Sequence, residues 1–158
     1  MVEIHKTVAK VLETHKDELE IFECKDEFSD TQNFCDHYGF DIEDSCNAIL
    51  IKAKKPKEFY ALFCVLGSTR LDVNQKAKIA MGAKRVSFAS REEAEQVTKQ
   101  IYGGISPLGL PANIQIFIDK KVISREKLFI GAGNRISKLF LSPSSLVEIT
   151  GGKVLDLS

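Results

Sequence analysis

Two apolar runs separated by a lysine-rich turn constrain this chain more than any other feature. Ala48-Ile49-Leu50-Ile51 is uninterrupted hydrophobic sequence, Lys54-Lys55-Pro56-Lys57 follows as a turn, and Phe59 to Leu66 is apolar again. A strand without polar alternation has both faces covered, so the pair predicts a buried hairpin. The cover is written around it. Ile4, Val8, Val11 and Leu12 recur at helical spacing and predict a helix over 3–15. Ser29 or Asp30 can cap a short helix through His37 that ends at Gly39, with Phe34 inward. Asp72 opens a helix carrying Val73, Ala77, Ile79 and Ala80, closed by Gly82. Ser90-Arg91-Glu92-Glu93 reads as a capping box at the head of a helix reaching about Ile101. Short strands are expected at Leu19–Phe22, Arg85–Phe88, Ile114–Ile118, Leu128–Ile130, Lys138–Leu141 and near Val154-Leu155. This irregular alternation predicts an α/β (α+β) chain, a mixed sheet with helices packed on it, forming one domain over 1–158. With 158 residues and 44% hydrophobic content, such a domain needs no disulfide or metal staple.

The charge balance excludes a protein that coats nucleic acid by bulk positive charge, since 22 Lys and Arg meet 22 Asp and Glu. The cancellation conceals an asymmetry. Residues 13–44 carry a net charge of −10 and residues 45–158 a net charge of +9. This leaves two readings, a pair of solvated surfaces or a basic flank that meets a polyanion. Cys24, Cys35, Cys46 and Cys64 form no C-x-x-C pair, and His5, His15 and His37 lack zinc spacing. No metal site is expected. The chain shows neither a secretory signal pattern nor an apolar run of the roughly 18 residues that span a bilayer. The cysteines therefore read as reduced thiols of a cytoplasmic protein with no membrane partner.

Gly103-Gly104-Ile105-Ser106-Pro107-Leu108-Gly109-Leu110-Pro111 is the most informative loop. Glycine lets backbone N–H groups approach a ligand, and proline stiffens the bend. Such a loop can aim several amides at one carbonyl or oxyanion, or it can be a tight helix-to-strand connection. Gly131-Ala132-Gly133-Asn134-Arg135-Ile136 begins like a dinucleotide fingerprint but lacks its third glycine, and reads as a hairpin turn. No G-x-S-x-G elbow, Walker loop or H-E-x-x-H occurs. Cys35 and His37, two apart, point to different sides of a helix and form no dyad; Cys64 reads as core. Asp119 ends an apolar strand, a place for a functional or a turn-forming carboxylate. Lys52, Lys54, Lys55 and Lys57 cluster on one hairpin, as a solvated edge or as phosphate contacts.

In this order, Gly103-Gly104-Ile105-Ser106-Pro107-Leu108-Gly109, a strand ending Ile118-Asp119, and Ile130-Gly131-Ala132-Gly133 resemble the YbaK/ProX family, freestanding relatives of the editing domain of bacterial prolyl-tRNA synthetases. Leu71-Asp72, Met81-Gly82-Ala83-Lys84-Arg85-Val86 and Leu141-Ser142-Pro143-Ser144-Ser145-Leu146 fit the same pattern. The resemblance implies a mixed sheet, partly closed like a barrel and flanked by helices. It implies a trans-editing deacylase that hydrolyses the ester of a mischarged tRNA with a positioned water, without metal or organic cofactor. Gly103, Gly104, Ile105, Ser106 and Pro107 would hold the aminoacyl group and the water, and the substrate's terminal ribose hydroxyl would assist. Asp119, Gly131, Ala132 and Gly133 would lie beside the substrate, and Lys52, Lys54, Lys55 and Lys57 would contact tRNA. An aminoacyl-tRNA synthetase is a second expected partner. The chain departs from the family at Asn47, which stands where a lysine is usual, and at Thr98-Lys99-Gln100, where Thr-Gly and an aromatic are common. Neither Lys52 nor Lys54 replaces that lysine, both falling on the opposite strand face from Asn47. The alternative implied is a weakened relative that binds tRNA or a synthetase without efficient turnover.

Overall fold

The computed structural model describes residues 4–158. Its elements in chain order are α1 (Lys6–His15), β1 (Glu20–Glu23), α2 (Thr31–Tyr38), β2 (Cys46–Lys55) and β3 (Phe59–Leu66). A π-helical turn at Val73–Ala77 leads into α3 (Lys78–Met81), then β4 (Arg85–Phe88) and α4 (Arg91–Thr98). The second half holds β5 (Gln115–Asp119), α5 (Lys120–Ile123), β6 (Leu128–Gly131), β7 (Ser137–Leu141), α6 (Pro143–Thr150) and β8 (Lys153–Leu155). The result is a mixed α/β architecture with helices on the sheets. The described strands form a five-stranded sheet, ordered β4-β2-β3-β5-β8, and a three-stranded sheet, ordered β1-β7-β6. A parallel bridge between Ser45 and Phe129 joins the two, which is as near as the arrangement comes to a barrel.

The predicted hairpin lies inside the larger sheet. β2 and β3 pair antiparallel from Cys46↔Leu66 to Ala53↔Phe59, and β3 then pairs parallel with β5. Both faces are covered, as the absence of alternation requires. Leu50, Leu62, Cys64 and Ile118 face one apolar cluster. Ile51, Phe63, Val65 and Phe117 face another, in which the Phe63 and Phe117 rings stack at 5.0 Å. A third cluster, built on Phe22, Phe34, Phe129 and Phe140, fastens α2 to the smaller sheet. Each fully buried side chain of this size contributes about 1.5–3 kcal/mol.

The signals at element ends act largely as anticipated. Ser90 accepts from the Glu93 N–H while Glu93 reaches back to the Ser90 N–H, and Asp72 accepts from the Gln75 N–H. Gly39 and Gly82 close their helices in the left-handed region. Three boundaries and the facing of one residue differ. The expected start of the first helix at residue 3 lies outside the described residues, and Ile4 and His5 precede α1. Lys54 and Lys55 continue β2, with Lys55 paired to Arg85, and do not form the turn. Ile79 is 76% exposed, because the π-helical turn ahead of it rotates it off the core face. The helix expected to reach Ile101 stops at Thr98, where Lys99 adopts φ 63°. α5 and α6 were not foreseen, although Ser142 as cap and Pro143 in the first turn mark the start of α6.

Lys99 is exposed and occupies a conformation that glycine adopts freely. Lys99→Gly is expected to raise stability by about 1 kcal/mol, measured by denaturant unfolding.

Candidate functional site

β4 pairs with β2 only along Ile51–Lys55. On that edge Cys46–Leu50 is therefore left without a strand neighbour, and a cavity of about 510 Å³ opens beside it. Its walls come from Ser29–Thr31, from β2, from Phe88-Ala89, from Tyr102–Ile105, and from Gly131 and Lys138. The mouth is aromatic and open, with Phe88 61% and Tyr102 47% exposed.

The Gly/Pro loop enters the cavity by its first three residues. Gly104 N–H donates to Ile101 C=O (3.0 Å), and Gly104 C=O accepts from Gly133 N–H (2.7 Å). Gly133 C=O in turn accepts from Ile101 N–H (3.0 Å). The contact is backbone on backbone: a Cβ on Gly104 would collide with the Asn134 carbonyl, and one on Gly131 with the carbonyls of Ile105 and Gly104. The far side is pinned by buried Gln100, whose Oε1 accepts from Ser106 N–H (2.6 Å) and whose Nε2 donates to Leu108 C=O (2.9 Å). Ser106 Oγ accepts from Leu108 N–H (3.1 Å). Gly103 and Ile105 line the cavity, and their N–H groups have no partner among the described residues.

The sequence-predicted site residues divide accordingly. Gly103, Gly104, Ile105, Asn47 and Gly131 come together around the cavity. Ser106 and Pro107 are buried behind the loop and shape it. Ala132 and Gly133 are buried in the β6–β7 connection, which is the expected hairpin turn, and back the loop from below. Asp119 lies outside the cavity walls; its carboxylate accepts from Leu157 N–H (3.0 Å) and Ser158 Oγ–H (2.9 Å) and so holds the C-terminal residues. Lys54, Lys55 and Lys57 are exposed at the end of the hairpin. Lys52 is engaged by Glu93 at 2.6 Å, with Glu58 at 3.8 Å.

Asn47 uses its amide in a definite sense. Thr31 Oγ (3.1 Å) and Ser45 Oγ (3.0 Å) both donate to its Oδ1, which leaves the Nδ2 donors without a partner among the described residues. Cys46 also borders the cavity, but its thiol is held well above the ordinary value, first by its hydrogen bond with Cys64 and then by burial. It is protonated and a poor nucleophile at neutral pH.

Three contributors escaped sequence reasoning. Gln100 stands out in the sequence only as part of the Thr98-Lys99-Gln100 departure from the family pattern, which gives no hint that it pins the loop from behind. Ser29 is one of two candidate caps in the sequence; Asp30 takes that position, and Ser29 is fully buried with its Oγ unpartnered among the described residues. Lys138 sits inside an apolar strand and is 6% exposed, its ammonium donating to Ser29 C=O at 2.7 Å.

Two outcomes follow from these contacts. Gly104→Ala is expected to cost about 3 kcal/mol in denaturant unfolding, because two backbones must part. Glu93 is held at about 2, first by Lys52, then by the Ser90 N–H and by Tyr60. A carboxyl whose folded value is depressed stabilises above its ordinary value of 4.5 and ceases to as pH falls through about 2. Glu93→Gln should therefore lose less stability than the parent between those limits, measured by unfolding at each pH.

Comparison with known proteins bears on the family and the fold. The family model described as an aminoacyl-tRNA editing domain matches residues 25–149. EbsC of Enterococcus faecalis, named as a candidate Cys-tRNA(Pro)/Cys-tRNA(Cys) deacylase, is 26% identical over 92 residues, 58% of this chain and 56% of EbsC. A proline–tRNA ligase of Streptococcus pneumoniae is 39% identical over 57 residues, 36% of this chain and 9% of the ligase. The chain thus spans about half the length of the first and a small part of the second. A crystal structure described as a candidate trans-editing enzyme for prolyl tRNA synthetase superposes with a TM-score of 0.83 at 20% identity, covering 99% of both chains, and shows the same fold. Among the described residues no helix is long and apolar enough to cross a membrane, and no cluster of metal-ligating side chains occurs. With 125 of its 158 residues under the family model, this chain belongs to the aminoacyl-tRNA editing domain family.

Proposed function

We propose that the protein is a trans-acting deacylase that hydrolyses the ester between a wrongly attached amino acid and its tRNA. The observation that carries this reading is a cavity lined by Gly103, Ile105 and Asn47, whose N–H and Nδ2 donors have no partner among the described residues, beside a Cys46 thiol that Cys64 and burial keep protonated. An aminoacyl ester is already activated, so water suffices as the attacking group once both are held in register. Water adds to the ester carbonyl and the former carbonyl oxygen becomes an oxyanion, which the loop amides and Asn47 Nδ2 stabilise. Collapse breaks the bond to the ribose 3′-oxygen. The proton lost by water reaches that oxygen through the neighbouring ribose hydroxyl, and the products are a free amino acid and uncharged tRNA.

The surface outside the cavity suits the rest of such a substrate. Phe88 offers an exposed aromatic face at the mouth, on which a terminal adenine can stack. Lys54, Lys55 and Lys57 remain available to backbone phosphates, about 26 Å along the strand from Asn47 to Lys55. Lys52 is committed to Glu93 and is left out of that role.

The test is hydrolysis of tRNAs charged with Cys, Ser, Thr, Ala or Pro. At least one should lose its ester more than about tenfold faster than spontaneously, and rates equal to the spontaneous ones for all five would end the reading. Asn47→Ala should lower kcat/KM by about tenfold, the loss of one hydrogen bond in the transition state. Phe88→Ala should weaken binding of uncharged tRNA by roughly fivefold or more in a low-salt titration. Salt-sensitive binding without turnover would favour the alternative of a non-hydrolysing relative.

A further inference from the structure

The cavity has two unlike ends. Its mouth carries the exposed rings of Phe88 and Tyr102, whereas Ser29 and Lys138 are its most buried polar lining, 0% and 6% exposed. Only the tip of a tRNA can enter such a space, and the outermost group of a charged tRNA is the amino acid. The buried end therefore meets the aminoacyl side chain, while the nucleotide stays at the mouth.

That end is chemically unusual. Ser29 Oγ is a buried hydroxyl without a hydrogen-bond partner among the described residues. Lys138 Nζ donates to the carbonyl of the same serine and lies 5.4 Å from the centre of the Phe34 ring. None of the ion pairs among the described residues includes Lys138, so no carboxylate oxygen stands within 4.0 Å of it. Asp30, the acid on the cavity wall, is taken by Arg135 at 2.9 Å. Burial pushes the Lys138 ammonium below its usual value. Donors left unsatisfied in a buried site disfavour an apolar occupant and favour one that supplies an acceptor atom.

We propose that Ser29 and Lys138 form the specificity end of the cavity and read a γ-oxygen or γ-sulfur on the aminoacyl side chain, so that seryl, threonyl or cysteinyl esters are preferred to alanyl and prolyl ones. The proposal rests on the deacylase reading and deepens it. Lys138 also repels the substrate's α-ammonium, which turns that group away from the buried end. A hydroxyl or a thiol accepts from the Lys138 ammonium, and Ser29 Oγ, without a hydrogen-bond partner among the described residues, completes the pair.

The test compares kcat/KM for one tRNA body charged with Ser, Cys or Ala, in the parent protein and in Ser29→Ala and Lys138→Met. The parent should favour Ser or Cys over Ala by about tenfold or more. Both variants should bring that ratio to within about threefold while the alanyl rate holds or rises. The serine variant removes an atom that makes no hydrogen bond among the described residues, so it keeps the test open if the lysine variant unfolds. A parent that prefers Ala, or variants that slow all esters alike, would overturn the proposal. A higher rate for Ser identifies the oxygen as the group read, and a higher rate for Cys the sulfur. Binding of the stable amides 3′-serylamido- and 3′-alanylamido-3′-deoxyadenosine, followed by NMR titration, separates this idea from the reaction. Tighter seryl binding, abolished in the variants, with no ester hydrolysed would retain the specificity end and remove the deacylase. Hydrolysis with equal binding and equal rates would do the reverse, and binding of neither amide without hydrolysis would remove both.

Discussion

The cavity exists because two stretches of main chain touch without side chains between them. Gly104 and Gly133 exchange the central hydrogen bond, and Ile101 N–H closes the set on Gly133 C=O. A methyl group at 104 or 131 would fall on a carbonyl of the opposing stretch. This contact places the 103–105 turn at the open edge of β2. The Gly104 amide is taken by Ile101 C=O and the Ser106 amide by Gln100, while those of Gly103 and Ile105, two residues that line the cavity, have no partner among the described residues. A helix end, a glycine pair and a buried glutamine together hold this turn in a way that no single element could.

The charge asymmetry of the chain has a structural use. Arg125 meets Asp44 at 2.9 Å, Lys127 meets Glu20 at 3.5 Å, and Arg135 meets Asp26 and Asp30 at 3.1 and 2.9 Å. These pairs tie the acidic 13–44 region to the basic stretch around β6 and β7. Each is partly exposed, and each is worth little alone. Together with the Phe22, Phe34, Phe129 and Phe140 cluster they hold Ser29–Thr31 as one wall of the cavity. The two faces inferred from composition are thus partly turned toward each other. Lys54, Lys55 and Lys57, exposed at the end of the β2–β3 hairpin, take part in none of these pairs.

The hairpin, the capping box and the Gly/Pro loop were legible because each is a local pattern with one physical solution. Asn47 stood out only through the resemblance, as the residue in the place where the family usually has lysine. Lys138 was not legible. In Ser137-Lys138-Leu139-Phe140-Leu141, alternation assigns a lysine to the solvent side, but every residue of β7 is buried, because α2 and its aromatic neighbours cover the face that would otherwise be wet. Ser29 was hidden for a related reason, since a serine ahead of a helix is ordinarily a cap, and here Asp30 takes that position. The end of its strand left Asp119 open to a functional or a turn-forming role; its partners are contributed by residues 38 and 39 positions later, which no local window reaches.

Arg135 occupies a junction among these parts. Its guanidinium lies against Gly103 so closely that a Cβ there would strike Nη1, and the same Nη1 donates to Asp30 on the opposite wall. Positions 30, 103 and 135 consequently answer to one another. Changes among them will combine non-additively, and lineages that drift at one of the three should be found to have altered the others in concert.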